Sequence, residues 1–252
     1  AYGPLTVSNS TVSKNAGVGI LQDAGSLAVI QSAILGNSSS GQGGGIQITT
    51  YRLPVTIVDS VIAGNSASQG GGVYSYSDDP TLINTTVVGN TADSGGGIFI
   101  AEGEMMLQNT VVALNSSPDG DIYGESTSES SLIGVDPGFV RDPSPGADGV
   151  WGTADDDYGD LRLQATSPAV DAGDSALLPA DEFDLDGDGN TVERLPVDLA
   201  GQQRVQGASV DIGAYELAAS SVVVGRHVFY HDSYLDGFGA SPGDAIDTNK
   251  EA

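Results

Sequence analysis

The sequence predicts an all-β fold: a right-handed parallel β-helix, or solenoid, with an irregular acidic C-terminal cap region. Three observations carry that prediction. One short phrase is written five times between Asn9 and Ile122: a β-type run, an Asn, a variable loop, and a glycine cluster closed by an aliphatic residue. The Asn residues, Asn15, Asn37, Asn65, Asn90 and Asn115, recur at spacings of 22, 28, 25 and 25, and a period near 25 with its variation confined to loops marks a solenoid. Three apolar columns align across the copies: Val29, Ile57, Leu82, Leu107; Ile34, Ile62, Val87, Val112; and Ile20, Ile46, Val73, Ile98, Ile122.

Within each run the apolar positions alternate over short β-branched segments, which favours strands over helices. About three short strands per coil, stacked about 4.8 Å above one another, is the simplest construction. The usual hand of parallel crossovers makes it right-handed. Ser32, Ser60, Thr85 and Thr110 lie between the first two columns and suit a tight interior. A buried amide costs roughly 1–3 kcal/mol if unpaired, so the five Asn are expected to point inward and bond one another as a ladder. The glycines serve the opposite corner, where the chain bends through backbone angles closed to residues with a Cβ.

In order along the chain, 1–26 form a first, imperfect coil whose copy around Asn9 lacks a full leading strand, and 27–123 hold the regular coils. Of the N-x-S/T matches at Asn9, Asn37, Asn84 and Asn115, Asn37 and Asn115 belong to the inward ladder, so the repeat explains them without glycosylation. From Glu125 to Ser131 a Ser/Thr/Glu-rich loop ends the period, and Leu132-Ile133-Gly134 with the phrase at Asp136 adds a last irregular coil. Two acid-rich loops follow, separated by a strand over Leu161–Gln164; Val210–Ile212 is a further strand-like run. Val222–Val224 and His227–Tyr230 read as strands of another module. Residues 1–140 are therefore expected to form the coils, 141–216 the acidic, calcium-binding part of the same domain, and 217–252 the start of a further β module or tail.

Gly43-Gly44-Gly45-Ile46, Gly70-Gly71-Gly72-Val73 and Gly95-Gly96-Gly97-Ile98 resemble the β-helix repeats of bacterial surface and polymorphic outer-membrane proteins. Downstream come Asp136-Pro137-Gly138-Phe139-Val140, Leu161-Arg162-Leu163-Gln164, Ser167-Pro168-Ala169-Val170-Asp171-Ala172-Gly173 and Val210-Asp211-Ile212-Gly213-Ala214-Tyr215-Glu216. These phrases are similar to the choice-of-anchor domain of secreted bacterial β-helix proteins. Together the two resemblances span about 9–216; they imply the fold and an extracellular or cell-surface location, and no one reaction.

Acidic residues exceed basic ones by 34 − 8 = 26 over 252 residues. Such a surface repels nucleic acid and anionic membranes and attracts divalent cations. The chain has no cysteine, so disulfides and thiolate metal sites are excluded. No apolar run reaches the roughly 18 residues of a membrane span, so no direct membrane insertion is expected of this segment. Residues 1–5 are not a signal peptide, and the reading is of a mature or proteolysed piece of something longer, its export signal or anchor outside it.

The strongest metal signal is Asp184-Leu185-Asp186-Gly187-Asp188-Gly189-Asn190, the first half of a calcium loop: oxygens at positions 1, 3 and 5, glycine at 6, a carbonyl at 7. Position 12 is Leu195 instead of a bidentate Glu, so Glu193 or Asp198 must complete the shell. A second calcium candidate is the loop holding Asp148, Asp155, Asp156 and Asp157 beside Trp151, because three neighbouring carboxylates repel unless screened.

Enzymatic signals are thinner. Seven residues past each glycine corner stand Ser26, Arg52, Asp79 and Glu104; Asp79 and Glu104 on adjacent rungs are the candidate acid and base or nucleophile of a glycosidase, against an Arg52–Asp79 surface pair and a solvated Glu104. Arg52 is the only Lys or Arg from 15 to 140, too few bases for a polysaccharide lyase. Gly239-Ala240-Ser241-Pro242-Gly243 has the letters of a serine-hydrolase elbow, but both His227 and His231 precede it, in the wrong order. On a strand those two histidines stand roughly 13 Å apart, too far to share a metal.

Tyr74, Phe99 and Tyr123 follow the third column on consecutive rungs, either as a glycan platform or as the surface on which 140–216 fold back. The expected function is a non-catalytic structural or adhesive segment of a secreted or cell-surface bacterial protein, stabilised by calcium and meeting other copies of itself or surface polysaccharide. The alternatives are a carbohydrate-active enzyme and a glycan-binding module.

Overall fold

Three parallel sheets wind into a right-handed solenoid of about five turns in the computed structural model, which describes residues 1–77 and 79–218. The leading sheet stacks Leu5–Ser8, Leu27–Ile30, Val55–Val58, Thr81–Ile83, Met105–Gln108 and Ser126–Glu129. The second stacks Thr11–Ser13, Ala33–Leu35, Val61–Ala63, Thr86–Val88, Val111–Ala113 and Leu132–Ile133. The third stacks Ile20–Gln22, Ile46–Ile48, Val73–Tyr76, Ile98–Glu102 and Ile122–Tyr123. Two middle coils add an extra pair, Ser66–Gln69 beside Thr91–Ser94. The expected columns are the pairing registers: Ile57 stands between Val29 and Leu82, Ile62 between Ile34 and Val87, and Val73 between Ile46 and Ile98. Their side chains fill one continuous core, each contributing about 1.5–3 kcal/mol by burial.

The polar ladders run beside that core. Each Asn Nδ2 donates to the next Oδ1: Asn15 to Asn37 at 2.7 Å, then Asn37 to Asn65, Asn65 to Asn90 and Asn90 to Asn115 at 2.9 Å. Asn115 Nδ2 ends on Asp121 Oδ1 at 2.9 Å, so an acid closes the row. The hydroxyl column reaches further than expected, since Ser10 N–H donates to Ser32 Oγ and Thr110 N–H to Ser131 Oγ. Within the glycine triplets the work is divided. The first residue bends the chain, as Gly70 does at φ +63°, while the next two allow close stacking: a Cβ on Gly71 would meet the Gly96 carbonyl oxygen at 2.4 Å.

Three expectations about elements are corrected. The first coil has its leading strand, Leu5–Ser8, paired in parallel with Leu27–Ile30. The Ser/Thr/Glu-rich stretch is a strand, Ser126–Glu129, on Met105–Gln108; backbone pairing on one side holds a polar sequence that has little to bury. Val210–Ile212 is not a strand. It is held singly, by Gly173 N–H to Val210 O and Ile212 N–H to Ala169 O.

Past the last rung the chain runs back over the coils. Phe139–Arg141 and Asp160–Leu163 pair antiparallel. Phe139, Leu161, Leu163, Ala169, Ile212 and Ala214 cover the outward side chains Val61, Ala63, Val88, Val111 and Ala113 of the second sheet. Leu178, Leu195 and Val210 cover Val58 and Ile83. Trp151 and Tyr158, stacked at 5.9 Å, lie over the corner glycines Gly64 and Gly36. The cover therefore lies on the leading and second sheets; the expectation that it folds onto the Tyr74–Phe99–Tyr123 row of the third sheet is not met. The outward residues Val61, Val88 and Val111 are apolar and attract it. The expected strands at Val222–Val224 and His227–Tyr230, His231 and the Ser241 phrase lie outside the described residues.

Candidate functional site

The most perturbed ionisable groups sit where the cover meets the coils. Corner residues Gln31, Asp59, Asn84 and Asn109 share a left-handed backbone (φ 43–48°) that turns their side chains outward, and Asn and Asp tolerate it best. Asp59, fully buried, takes Arg204 Nη1 at 3.1 Å on Oδ1 and Gln31 Nε2 at 3.2 Å on Oδ2. Arg204 Nε stands 3.6 Å from Glu216 Oε1, and its Nη2 donates to the Gly213 carbonyl. Glu216 Oε1 accepts Asp211 N–H at 2.9 Å; Asp211 accepts Asp171 N–H and Leu217 N–H. Burial pushes the Asp59 carboxyl up to about 7 and the Glu216 carboxyl up to about 8, with Arg204 pulling both down. The Val210–Glu216 phrase, with Asp171 and Arg204, is a clamp that holds the cover in place.

Asp79 and Glu104 are exposed on neighbouring coils just before the leading strands. Thr56 pairs with Thr81 and Thr81 with Met106, so counting back along the ladder puts Pro54, not Arg52, in their row. The loop from Ile48 to Val55 is longer than its counterparts and displaces Arg52, whose guanidinium lies 5.2 Å from the Tyr51 ring.

The three aromatics form a stack. Tyr74 and Phe99 rings are 5.5 Å apart and 12° from parallel, Phe99 and Tyr123 4.6 Å and 14°. A sugar ring needs a free aromatic face, and here the faces are spent on one another: Tyr74 is 6 % and Phe99 8 % exposed, against 47 % for Tyr123. The three-ring platform is thus replaced by an aromatic ladder whose free face belongs to Tyr123. Beside it the Tyr76 hydroxyl bonds the Glu102 carboxylate, which raises the phenol's pKa.

The two acidic loops differ. In the first-met loop the carboxylates are used internally: Asp148 accepts Val150 N–H, Asp155 takes Ala147 N–H and the Thr153 hydroxyl, Asp156 takes Gly152 and Thr153 N–H, and Asp157 binds Arg141 through two hydrogen bonds. The Thr153 hydroxyl holds Asp155, and Arg141 holds Asp157, below the ordinary carboxylate range. Among the described residues these four acids do not converge on a common point; the mutual repulsion that suggested a cation is relieved by N–H groups and Arg141.

The later loop does gather its acids. Asp184, Asp186 and Asp188 bring oxygens within 4.8 Å of one another, and so do Asp181, Asp186 and Glu193. Leu195 at the twelfth position is buried against the coils. Asp198 accepts Ala200, Gln202 and Glu216 N–H groups and belongs to neither acidic group. Asn190 donates to Glu193 Oε2 at 3.1 Å and accepts Val192 N–H. Asp181 was missed from the sequence because it precedes the motif; its one signal is an acid three residues ahead of the loop.

Residues 2–132 match the family described as the right-handed beta helix region. No curated protein and no solved structure matches the chain.

Proposed function

We propose, from the premise that this chain belongs to the right-handed beta-helix family, that it is a non-catalytic structural or adhesive segment of a secreted or cell-surface bacterial protein. The observation that carries this reading is the use made of the buried charges. Asp59, Arg204, Asp211 and Glu216 are all buried and lock the cover onto the coils, so these charged groups serve to hold a rod together. The continuous amide ladder and aliphatic columns, with the hydroxyl column beside them, make that rod stiff along its axis. A charge of −26 keeps it hydrated and away from nucleic acid and anionic lipid, and its loops are free to meet other copies or neutral surface polysaccharide. Calcium held by the 181–193 hairpin stabilises the cover.

The competing reading is a carbohydrate-active enzyme using Asp79 and Glu104. Purified protein incubated with panels of acidic and neutral polysaccharides is expected to release no reducing ends or unsaturated products, with glycan-array binding measured beside it. Turnover that disappears in Asp79→Asn or Glu104→Gln would overturn the spacer reading in favour of the enzyme.

A further inference from the structure

The segment from 179 to 195 is a hairpin laid on the outward face of the leading sheet. Ala180 bridges Arg194 antiparallel, Leu195 N–H donates to Pro179 O, and Asp181 N–H donates to Glu193 O, both at 2.8 Å. Leu178 and Leu195 anchor its base on Val58 and Ile83. Asp181 therefore stands on one arm, Glu193 on the other, and Asp186 in the tip.

Two oxygens in this hairpin lack partners. Asp181 is 1 % exposed; its Oδ2 accepts Leu185 N–H at 2.8 Å, but its buried Oδ1 accepts nothing. Glu193 Oε2 takes Asn190, while its buried Oε1 also accepts nothing. A buried carboxylate oxygen without a donor is costly, and here two such carboxylates and Asp186 bring an oxygen each within 4.8 Å of one another. The strain is relieved by a positive charge between them, and among the described residues no Lys or Arg is bonded to these oxygens.

We infer that Asp181, Asp186 and Glu193 together hold a calcium ion that joins the two arms of the hairpin. The donors are all hard carboxylate oxygens, and the chain has no cysteine to favour a softer metal. The irregular tip suits calcium, which accepts six to eight oxygens in flexible geometry and fills its shell with carbonyls and water. Asp184 and Asp188 have a different task in this arrangement: they shape the tip, Asp184 Oδ1 accepting Gly189 N–H and Asp188 Oδ1 accepting Asn190 N–H. The inference deepens the calcium part of the reading above, and its failure leaves the spacer reading, which is tested by turnover, intact.

The test is isothermal titration of the whole chain, stripped with chelator, with calcium chloride at neutral pH, alongside thermal melts in chelator and in millimolar calcium. The wild-type chain is expected to bind one calcium at the hairpin and to melt a few degrees higher with it. Asp181→Asn should weaken binding roughly tenfold or more, because affinity follows ligand charge count, whereas Asp188→Asn should change it far less. If Asp181→Asn fails to fold, Glu193→Gln provides the same binding readout from the more exposed arm. Absence of any calcium heat or melting shift in the wild type would overturn the inference. Loss of binding in Asp188→Asn with retention in Asp181→Asn would overturn it too, assigning the ion to the linear loop.

Discussion

Replacing Asn65 by Leu tests whether the amide ladder carries stability. Asn65 Oδ1 accepts two bonds from the coil before it, from Asn37 N–H and Asn37 Nδ2, each at 2.9 Å. Its Nδ2 donates to Asn90 Oδ1 and to the Ile34 carbonyl, again at 2.9 Å. In the variant Asn37 Nδ2 still reaches Val12 O, and Asn90 Oδ1 still accepts Asn65 N–H. The Asn37 backbone N–H, fully buried, is left with no acceptor, at a cost of roughly 1–3 kcal/mol. The other lost bonds are worth about 1 kcal/mol each, partly offset by the added apolar surface, so the expected loss is about 3 kcal/mol. That corresponds to a fall of roughly 6–12 °C in melting temperature for a unit of this size. Asn15→Leu is the internal control. Asn15 is exposed at the end of the row, and Asn37 Oδ1 keeps the Asn15 N–H as donor, so its loss should stay within about 1 kcal/mol. Denaturant unfolding followed by circular dichroism reads both. Equal losses in the two variants would refute the reasoning, because a ladder of buried amides must cost more to break in the middle than at its exposed end.

The clamp makes stability fall as pH rises. Asp59 and Glu216 have folded values of about 7 and 8 against ordinary values of 3.8 and 4.5, so between about pH 4 and 8 the folded chain binds more protons than the unfolded one, and the slope of unfolding free energy with pH is negative. Melting temperatures should decline across that window, and Glu216→Gln, which mimics the protonated form, should flatten the decline; a temperature that rises from pH 5 to 8 in chelator would contradict it. Gly64→Ala should disturb the docked loop: at φ +62° its Cβ would lie 2.7 Å from Trp151 Cε3, so a loss of about 1–3 kcal/mol and red-shifted emission from the only Trp are expected. Gly149→Ala, at φ +70° with nothing near its Cβ, should show the backbone cost without the spectral shift.

What the sequence determined by itself is whatever the repeat writes several times over. The columns through Ile57, Ile62 and Val73 and the ladder through Asn65 were legible because each position meets its own equivalent one coil away, so alignment of the copies is already a contact list. Irregular coils were harder. A Ser/Thr/Glu strand at 126–129 has no apolar alternation to betray it, and a longer loop before Val55 slid Arg52 out of its row. The tertiary structure alone decided the rest, because the contacts concerned are made once and between distant segments. Arg204 meets Asp59 across 145 residues, Trp151 finds Gly64, and Asp181 faces Glu193 only after the hairpin closes. No period announces such pairs; they follow from which outward face of the solenoid is apolar enough to draw the returning chain, and on this protein that face spans the leading and second sheets instead of the aromatic row.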